Sequence, residues 1–323
     1  MPSRLRGLAA CAVLLAAGLT TIAAPAYPER TVKIIVPFAA GGPTDVIARL
    51  IAQKLSNRLG QQFYVENLAG AGGNIGTANA ARAAADGYTI LMASSSYVVN
   101  PSLYKNFPYD PNSFIPVTLA AVTPNVLIVN PAISAQSAQE LLTVIKGNPG
   151  KYTFASPGIG TTPHLASELF RSTYDLDFAI ATYRGGAPAT EAVLANETPI
   201  AFVAMSTATP LVKAGKLRAL VVTSKKRATA LPDIPTSAEA GLSGQESETM
   251  QGVFVPIGTP RATADLLQRE IATIVEMPDV KSKMLPLGFE PVGSSSTEFA
   301  AYIAAEMAKW KGVIINAKIP QIP

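Results

Sequence analysis

Histidine and cysteine are almost missing from this chain: in 323 residues each occurs once, as His164 and Cys11. A lone imidazole cannot build a histidine metal cluster, and no motif supports an all-carboxylate metal site. A lone thiol can form neither an internal disulfide nor a thiolate metal site. Charge of one sign is scarce as well. The 26 basic and 22 acidic residues are scattered, and Lys225-Lys226-Arg227 is the one short basic cluster, so the sequence carries no nucleic-acid footprint. Phosphate-binding loops are missing. Gly147-Asn148-Pro149-Gly150-Lys151 lacks the Walker spacing, and Gly70 to Gly76 does not fit Gly-x-Gly-x-x-Gly. No Gly-x-Ser-x-Gly elbow occurs either. These gaps leave no expected metal and no expected cofactor. What is present is 48% hydrophobic and 15% charged sequence, enough for an ample core, over a length that suggests two domains.

The N-terminus reads as an address. Arg4 and Arg6 precede an apolar run from Leu8 to Leu19, and Ala24-Pro25-Ala26 offers small residues at the positions a signal peptidase reads. Residues 1–26 are therefore expected to be a cleaved signal peptide, with the mature chain beginning at Tyr27 in the periplasm. The apolar run is too short for the roughly 20 residues of a membrane-spanning helix. Leu8-Ala9-Ala10-Cys11 imitates a lipoprotein box, but too little apolar sequence precedes Cys11. Cleavage removes the only thiol, and the loss of Arg4 and Arg6 leaves 24 basic against 22 acidic residues.

Beyond residue 27, strand and helix patterns alternate. Val32 to Val36 is a near-continuous apolar run, the mark of a strand covered on both faces. Val46, Ile47, Leu50, Ile51 and Leu55 then follow a helical period. Further strands are expected at Phe63–Val65, Thr89–Met92, Asn125–Val129, Tyr152–Ala155, Ile200–Val203 and Leu217–Val222, with helices at Ala78–Ala85, Ala138–Ile145 and around Leu165 to Phe170. This β-α-β-α-β order implies α/β lobes with mainly parallel sheets flanked by helices. Asn125 to Val129 is the expected crossing into a second lobe and Gly252 to Val255 the return. Residues 27–124 and 249–323 then make lobe 1, residues 125–248 make lobe 2, and the last two helices pack on lobe 1.

The turns carry the functional signal. Phe38 to Asp45, Gly70 to Thr77, Ser94 to Ser96, Ser156 to Thr161 and Tyr183 to Ala189 each follow a strand, are rich in Gly, Ser and Thr, and precede a helix. In open α/β sheets such strand ends line the ligand crevice. Free N–H groups at a helix start, with its partial positive charge, bind an anion without an arginine. The other reading is that these glycines only connect strand to helix. On the binding reading the candidate ligand residues are Phe38, Ala40, Gly41, Gly42, Thr44 and Asp45; Asn74; Ser94 and Ser95; Ser156, Gly158, Gly160, Thr161 and His164; and Tyr183, Gly185, Gly186 and Ala187. His164 is expected to hydrogen-bond locally and hold its loop, with ligand contact as the alternative. Asp45, an odd neighbour for an anion, is expected to cap free N–H groups or to meet a ligand amino or hydroxyl group. An exported acyl hydrolase using a turn serine is the competing enzyme reading, and it lacks a nucleophile motif.

The sequence resembles the substrate-binding proteins of tripartite tricarboxylate transporters, the Bug receptor family. The resemblance rests on Ile35-Val36-Pro37-Phe38 with Gly41-Gly42-Pro43-Thr44-Asp45, on Gly70-Ala71-Gly72-Gly73 and Asp86-Gly87-Tyr88-Thr89, and on Ser156-Pro157-Gly158, Tyr183-Arg184-Gly185, Ala214 to Leu220 and Leu231 to Thr236. It implies a type II-like, two-lobe periplasmic binding protein that closes on a small organic acid. One carboxylate would be gripped between the Phe38–Asp45 and Tyr183–Ala189 loops, and the closed form would dock on membrane permease subunits where these exist. A monomer is expected, with a sensor feeding a signalling partner as a further use. Two departures bear on specificity. Ala204-Met205 stand before Ser206-Thr207, where the family often presents polar residues, and Met250 replaces a common tryptophan. Met205 thereby joins the candidate ligand residues, at a pocket end expected to be less polar than usual.

Overall fold

The computed structural model describes residues 27 to 322; the expected signal peptide lies outside them. The first apolar run forms β1 (Val32–Val36). After the Phe38 loop comes α1 (Pro43–Leu59), which opens on a proline whose missing N–H is not needed there and closes on left-handed Gly60 (φ 73°). Its buried Ile47, Ile51 and Leu55 form a stripe at four-residue spacing. Then come β2 (Phe63–Asn67), α2 (Asn74–Ala81), β3 (Thr89–Ala93) and α3 (Ser96–Leu103). β1 pairs in parallel with β2 and β3, Val32 opposite Phe63 and Lys33 opposite Thr89. Helix α2 starts four residues before the expected Ala78, because the glycine-rich turn feeds directly into it at Asn74.

The spine of the molecule is β4 (Phe114–Val129), sixteen residues long. Sequence reading recovers only its last five residues, Asn125 to Val129, because Pro116 and Pro124 look like breaks. Proline is tolerated where the ladder is irregular, and the register of β4 shifts between Pro116 and Thr118. The chain continues through α4 (Ala138–Lys146), β5 (Thr153–Ser156), α5 (Thr162–Thr173), β6 (Ala179–Thr182), α6 (Gly186–Leu194), β7 (Ile200–Ala204), α7 (Met205–Lys213) and β8 (Arg218–Val222). It ends with β9 (Glu248–Pro256), α8 (Arg261–Glu276), α9 (Pro278–Met284), β10 (Glu290–Pro291) and α10 (Ser296–Asn316). From Phe114 to Pro124, β4 pairs antiparallel with β9; from Asn125 to Val129 it pairs with β7 and β8. One strand thus belongs to two half-sheets.

Each half-sheet is covered on both faces, which explains the near-continuous apolar strands. In the first half, Ile34, Val36 and Met92 pack with α1 and α8, whereas Ile35, Leu91 and Phe254 pack with Phe299 and Trp310 of α10. In the second, Leu127 and Val129 face Phe154, Phe170 and Phe202, and Val126 and Ile128 face Ala189, Val193 and Met205. The last long helices, α8 and α10, pack on the first half.

Asn125 stands at the join. Its N–H donates to Thr223 Oγ1 (2.9 Å), its Nδ2 to Ser247 Oγ (2.9 Å), and its Oδ1 accepts from Thr249 Oγ1 (2.9 Å). A different join is sterically tight. A β-carbon on Gly76 would lie 2.7 Å from the Leu68 carbonyl oxygen and 2.8 Å from Pro37 Cα. Alanine ordinarily stabilises a helix by about 1 kcal/mol over glycine. Here Gly76→Ala is expected to lower unfolding stability instead, by about 1–3 kcal/mol. Urea denaturation checks this, and a stabilised variant contradicts the packing described.

Candidate functional site

The carboxyl ends of β1, β3, β5 and β7 deliver α1, α3, α5 and α7 to the same place, the seam between the two halves. There a cavity holds about 370 Å³ of atom-free space, part of it open to solvent. Phe38, Pro43, Thr44 and Ser94 line it from the first half, Pro157, Thr161, Pro163, Gly186 and Ala204 from the second, and Thr249 from β9. Among the described residues, no group of three or more His, Cys, Asp or Glu could hold a metal ion.

At the mouth of this cavity two helix N-termini meet. A β-carbon on Gly42 would lie 3.8 Å from Gly186 N, one on Gly41 3.5 Å from Ala187 Cβ, and one on Gly186 3.2 Å from Pro43 Cδ. The N–H groups of Gly42, Thr44 and Asp45 on α1, and of Gly186 and Ala187 on α6, have no hydrogen-bond acceptor among the described residues. Each helix start carries about half a positive charge, so two like ends face each other at contact distance. The halves are stitched beside them by the Ala39 N–H, which donates to the Arg184 carbonyl (3.2 Å).

Asp45 explains why the α1 loop keeps its shape. Its Oδ2 accepts from the Gly41 N–H (2.9 Å) and Arg49 Nε (2.9 Å), and its Oδ1 from Asn67 Nδ2 (2.9 Å). Burial alone would raise its pKa; the hydrogen bonds from Arg49, Gly41 and Asn67 more than offset that and hold it below the usual range. The carboxylate is turned toward its own loop and is only 3% exposed, so of its two expected roles this geometry matches the capping of a backbone N–H. Gly41, at φ 79°, requires glycine on conformational grounds; Gly42, at φ −75°, does not.

Of the residues singled out from sequence, Phe38, Thr44, Ser94, Thr161 and Gly186 line the cavity. Gly41, Gly42, Gly185 and Ala187 form the facing helix starts, Gly185 packing on Ala39. Gly158 and Tyr183 border a neighbouring opening that also includes Phe38. Ala40 is exposed on the outside of its turn. Asn74, Ser95, Ser156, Gly160 and Met205 do not line the cavity, and the three polar side chains among them bond within the fold. Asn74 accepts from Asn100 Nδ2 (2.6 Å), Ser95 accepts from the Met250 N–H (2.8 Å), and Ser156 bonds within its own turn to Gly158. Gly160 packs against Asn100, and Met205 packs beneath Gly288. Met250 faces the α10 side of β9 and is fully buried, so of the two departures it is Ala204 that makes the wall apolar. Thr249 was missed because a polar strand start gives no hydrophobic signal. Pro43, Pro157 and Pro163 were missed although proline beside a glycine turn marks a helix start.

The histidine does not hold its loop through its ring. It is the backbone N–H of His164 that donates to Thr161 Oγ1 (3.3 Å). The imidazole Nδ1 has no partner, and Nε2 lies 3.8 Å from Glu168 Oε1. No serine hydroxyl meets the ring, so the chain's only histidine is not paired with a nucleophile.

Two α/β halves joined through one shared strand, with a cleft at the strand ends, define the periplasmic-binding-protein class. The sequence model described as "Tripartite tricarboxylate transporter family receptor" matches residues 47–319, and the chain belongs to this family. A Pseudomonas sp. protein from the tcbD-tcbE intergenic region is 38% identical over 296 residues, 91% of this chain and 88% of that one. The solved periplasmic binding protein BugD superposes with a TM-score of 0.88 at 34% identity, covering 91% of this chain and 99% of its own. An R. palustris protein solved with adipate superposes at 0.89 with 32% identity, covering 92% and 100%. The family is one of receptors, so the hydrolase alternative falls, and it places the chain in the periplasm.

Burial, followed by the nearby Arg171 charge, lowers the His164 pKa from 6.5 to about 4. Between those values the unfolded chain binds a proton that the folded chain refuses. Stability therefore falls as pH drops from 6.5 toward 4, by up to about 3 kcal/mol from this residue. His164→Gln is expected to flatten that slope relative to the natural protein in denaturant titrations at pH 7 and pH 4.5. Parallel pH profiles contradict a buried neutral imidazole.

Proposed function

We propose that this chain captures a small organic acid by closing two lobes, residues 27–124 with 249–323 and residues 125–248, for delivery to the permease subunits of a tripartite transporter. The observation that carries this reading is the head-on meeting of α1 and α6 with unsatisfied N–H groups. A carboxylate between them accepts from Gly42 and Thr44 on one lobe and from Gly186 and Ala187 on the other, which holds the lobes shut. Hydrogen bonds to a charged group contribute about 1.5–3 kcal/mol each, so three or four support micromolar affinity, about 8 kcal/mol. The body of the acid packs on Phe38, Pro157, Pro163 and Ala204. The adipate-bound relative supports an acid of this size. The mature receptor begins at Tyr27 after signal cleavage and acts as a monomer.

No arginine is required. The Arg184 side chain belongs to an exposed residue, and the loop is tied through its carbonyl. Gly42, by contrast, has its missing side chain directed at the opposing helix start. Gly42→Val is expected to weaken acid binding at least tenfold while the melting temperature without ligand falls little. Arg184→Ala is expected to cost less than tenfold, or about 1.4 kcal/mol. Calorimetric titration of both variants against a panel of organic acids checks this. Unchanged affinity in a folded Gly42→Val protein removes the loop from the site, and complete loss of binding in Arg184→Ala replaces the backbone grip with an ion pair.

A further inference from the structure

The two halves touch at a second place besides the starts of α1 and α6. The turn before α2 brings Gly72 against the turn before α5, and a β-carbon on Gly72 would lie 2.0 Å from the Ile159 carbonyl oxygen. One on Gly160 would lie 1.9 Å from Oδ1 of Asn100 on α3. Both distances are shorter than real β-carbon contacts, whereas across the seam a β-carbon on Gly42 would keep 3.8 Å from Gly186 N. The second contact is thus the tighter of the two. The opening that Gly158 and Tyr183 border also includes Gly72, Ile159 and Arg184, so residues of both contacts bound it.

Asn100 is held from its own half. Its Nδ2 donates to the Gly72 carbonyl (3.2 Å) and to Asn74 Oδ1 (2.6 Å). Exchanging the amide oxygen and nitrogen would set an oxygen against the Gly72 carbonyl, so these bonds fix the orientation. Its Oδ1 is buried and accepts from no described residue. It faces the α-hydrogen of Gly160, a far weaker donor than an N–H. Water reaching Oδ1 would bond it better than Gly160 does, so the contact does not glue the halves together. Its effect is steric: pinned through Nδ2, Oδ1 cannot swing aside without breaking those bonds.

We infer that Gly72 and Gly160 set how far the lobes close, and that Asn100 is the surface on which the second lobe comes to rest. None of the three lines the cavity. They are positioning residues, which act on ligand capture through the approach of the lobes. The starts of α1 and α6 meet only when these turns pass with no side chain between them, so a methyl at either glycine holds the acid site ajar. The inference rests on the receptor reading above and adds which residues govern closure.

Both glycines have positive φ, 62° and 82°, which by itself disfavours a side chain. Gly215 separates that effect from the clash: it lies in the second half at φ 68°, with nothing within 4 Å of its β-carbon position. The test titrates the mature protein and its variants with adipate, malate, glutamate and nicotinate by calorimetry, beside ligand-free melting curves. Gly160→Ala is expected to weaken every acid that binds by about tenfold or more, or about 1.4 kcal/mol, and by the same factor within about threefold. Its ligand-free melting temperature is expected to match that of Gly215→Ala, which binds as the natural protein does. Asn100→Ala removes Oδ1 and Cγ and leaves Leu103 Cδ2 at an ordinary 3.5 Å from the new methyl. The double variant Asn100→Ala with Gly160→Ala is therefore expected to recover the affinity of Asn100→Ala alone. Natural affinity in Gly160→Ala overturns the inference and leaves the receptor reading intact. So does a double variant no better than Gly160→Ala, or a loss confined to one of several bound acids. Ligand-free melting of Gly160→Ala far below that of Gly215→Ala also overturns it, since the contact is then permanent packing. A natural protein that binds none of the four acids overturns the receptor reading and this inference together.

Discussion

The starts of α1 and α6 are held against each other with N–H groups that no described protein atom accepts. Two like partial charges at such separation repel, and their desolvated donors are costly without a partner. Other features of the seam serve this arrangement. Gly41 takes the left-handed turn that brings α1 to the seam, and Asp45 with Asn67 and Arg49 fixes that turn. Gly185 and Gly186 remove the side chains that would keep α6 away from Ala39 and Pro43. On the proposed reading, closure is tied to the presence of negative charge at this one point.

The join between the halves is connected to that point by hydrogen bonds. Asn125, where β4 passes from one half-sheet to the other, receives Thr249 Oγ1, which is 2.7 Å from Thr162 Oγ1 at the start of α5. Thr249 also lines the cavity. Thr223 Oγ1 completes the join by donating to the Asn125 and Ser247 carbonyls (3.0 and 2.5 Å). The residues at the join between the halves and the residues that border the cavity thus share one buried network, so a change at one alters the bonds of the other.

Much of this was legible in the sequence because glycine and proline announce strand-to-helix turns directly. The loops at Phe38 to Asp45 and Tyr183 to Ala189 follow strand signals and precede helical periods, and both helix starts are where that pattern puts them. The path of β4 was not legible, because Pro116 and Pro124 imitate loop residues and only the pairing with β9 shows the strand continuing through them. The cavity floor was hidden for a related reason. β9 begins at Glu248, four residues before Gly252, and its cavity-lining Thr249 is polar. Neither periodicity nor propensity distinguishes such residues from a loop. Asp45 was ambiguous for a different reason: only the three-dimensional neighbours Gly41 and Asn67 show which way its carboxylate faces.

The most direct measurement is the amide spectrum of the ¹⁵N-labelled mature protein during titration with a bound acid. Carboxylate capture between the helix starts predicts large downfield proton shifts at Gly42, Thr44, Gly186 and Ala187, appearing together and saturating at one equivalent. If those four amides stay in place while the shifts gather elsewhere, the acid is held by other groups and the facing helix starts are not the binding site.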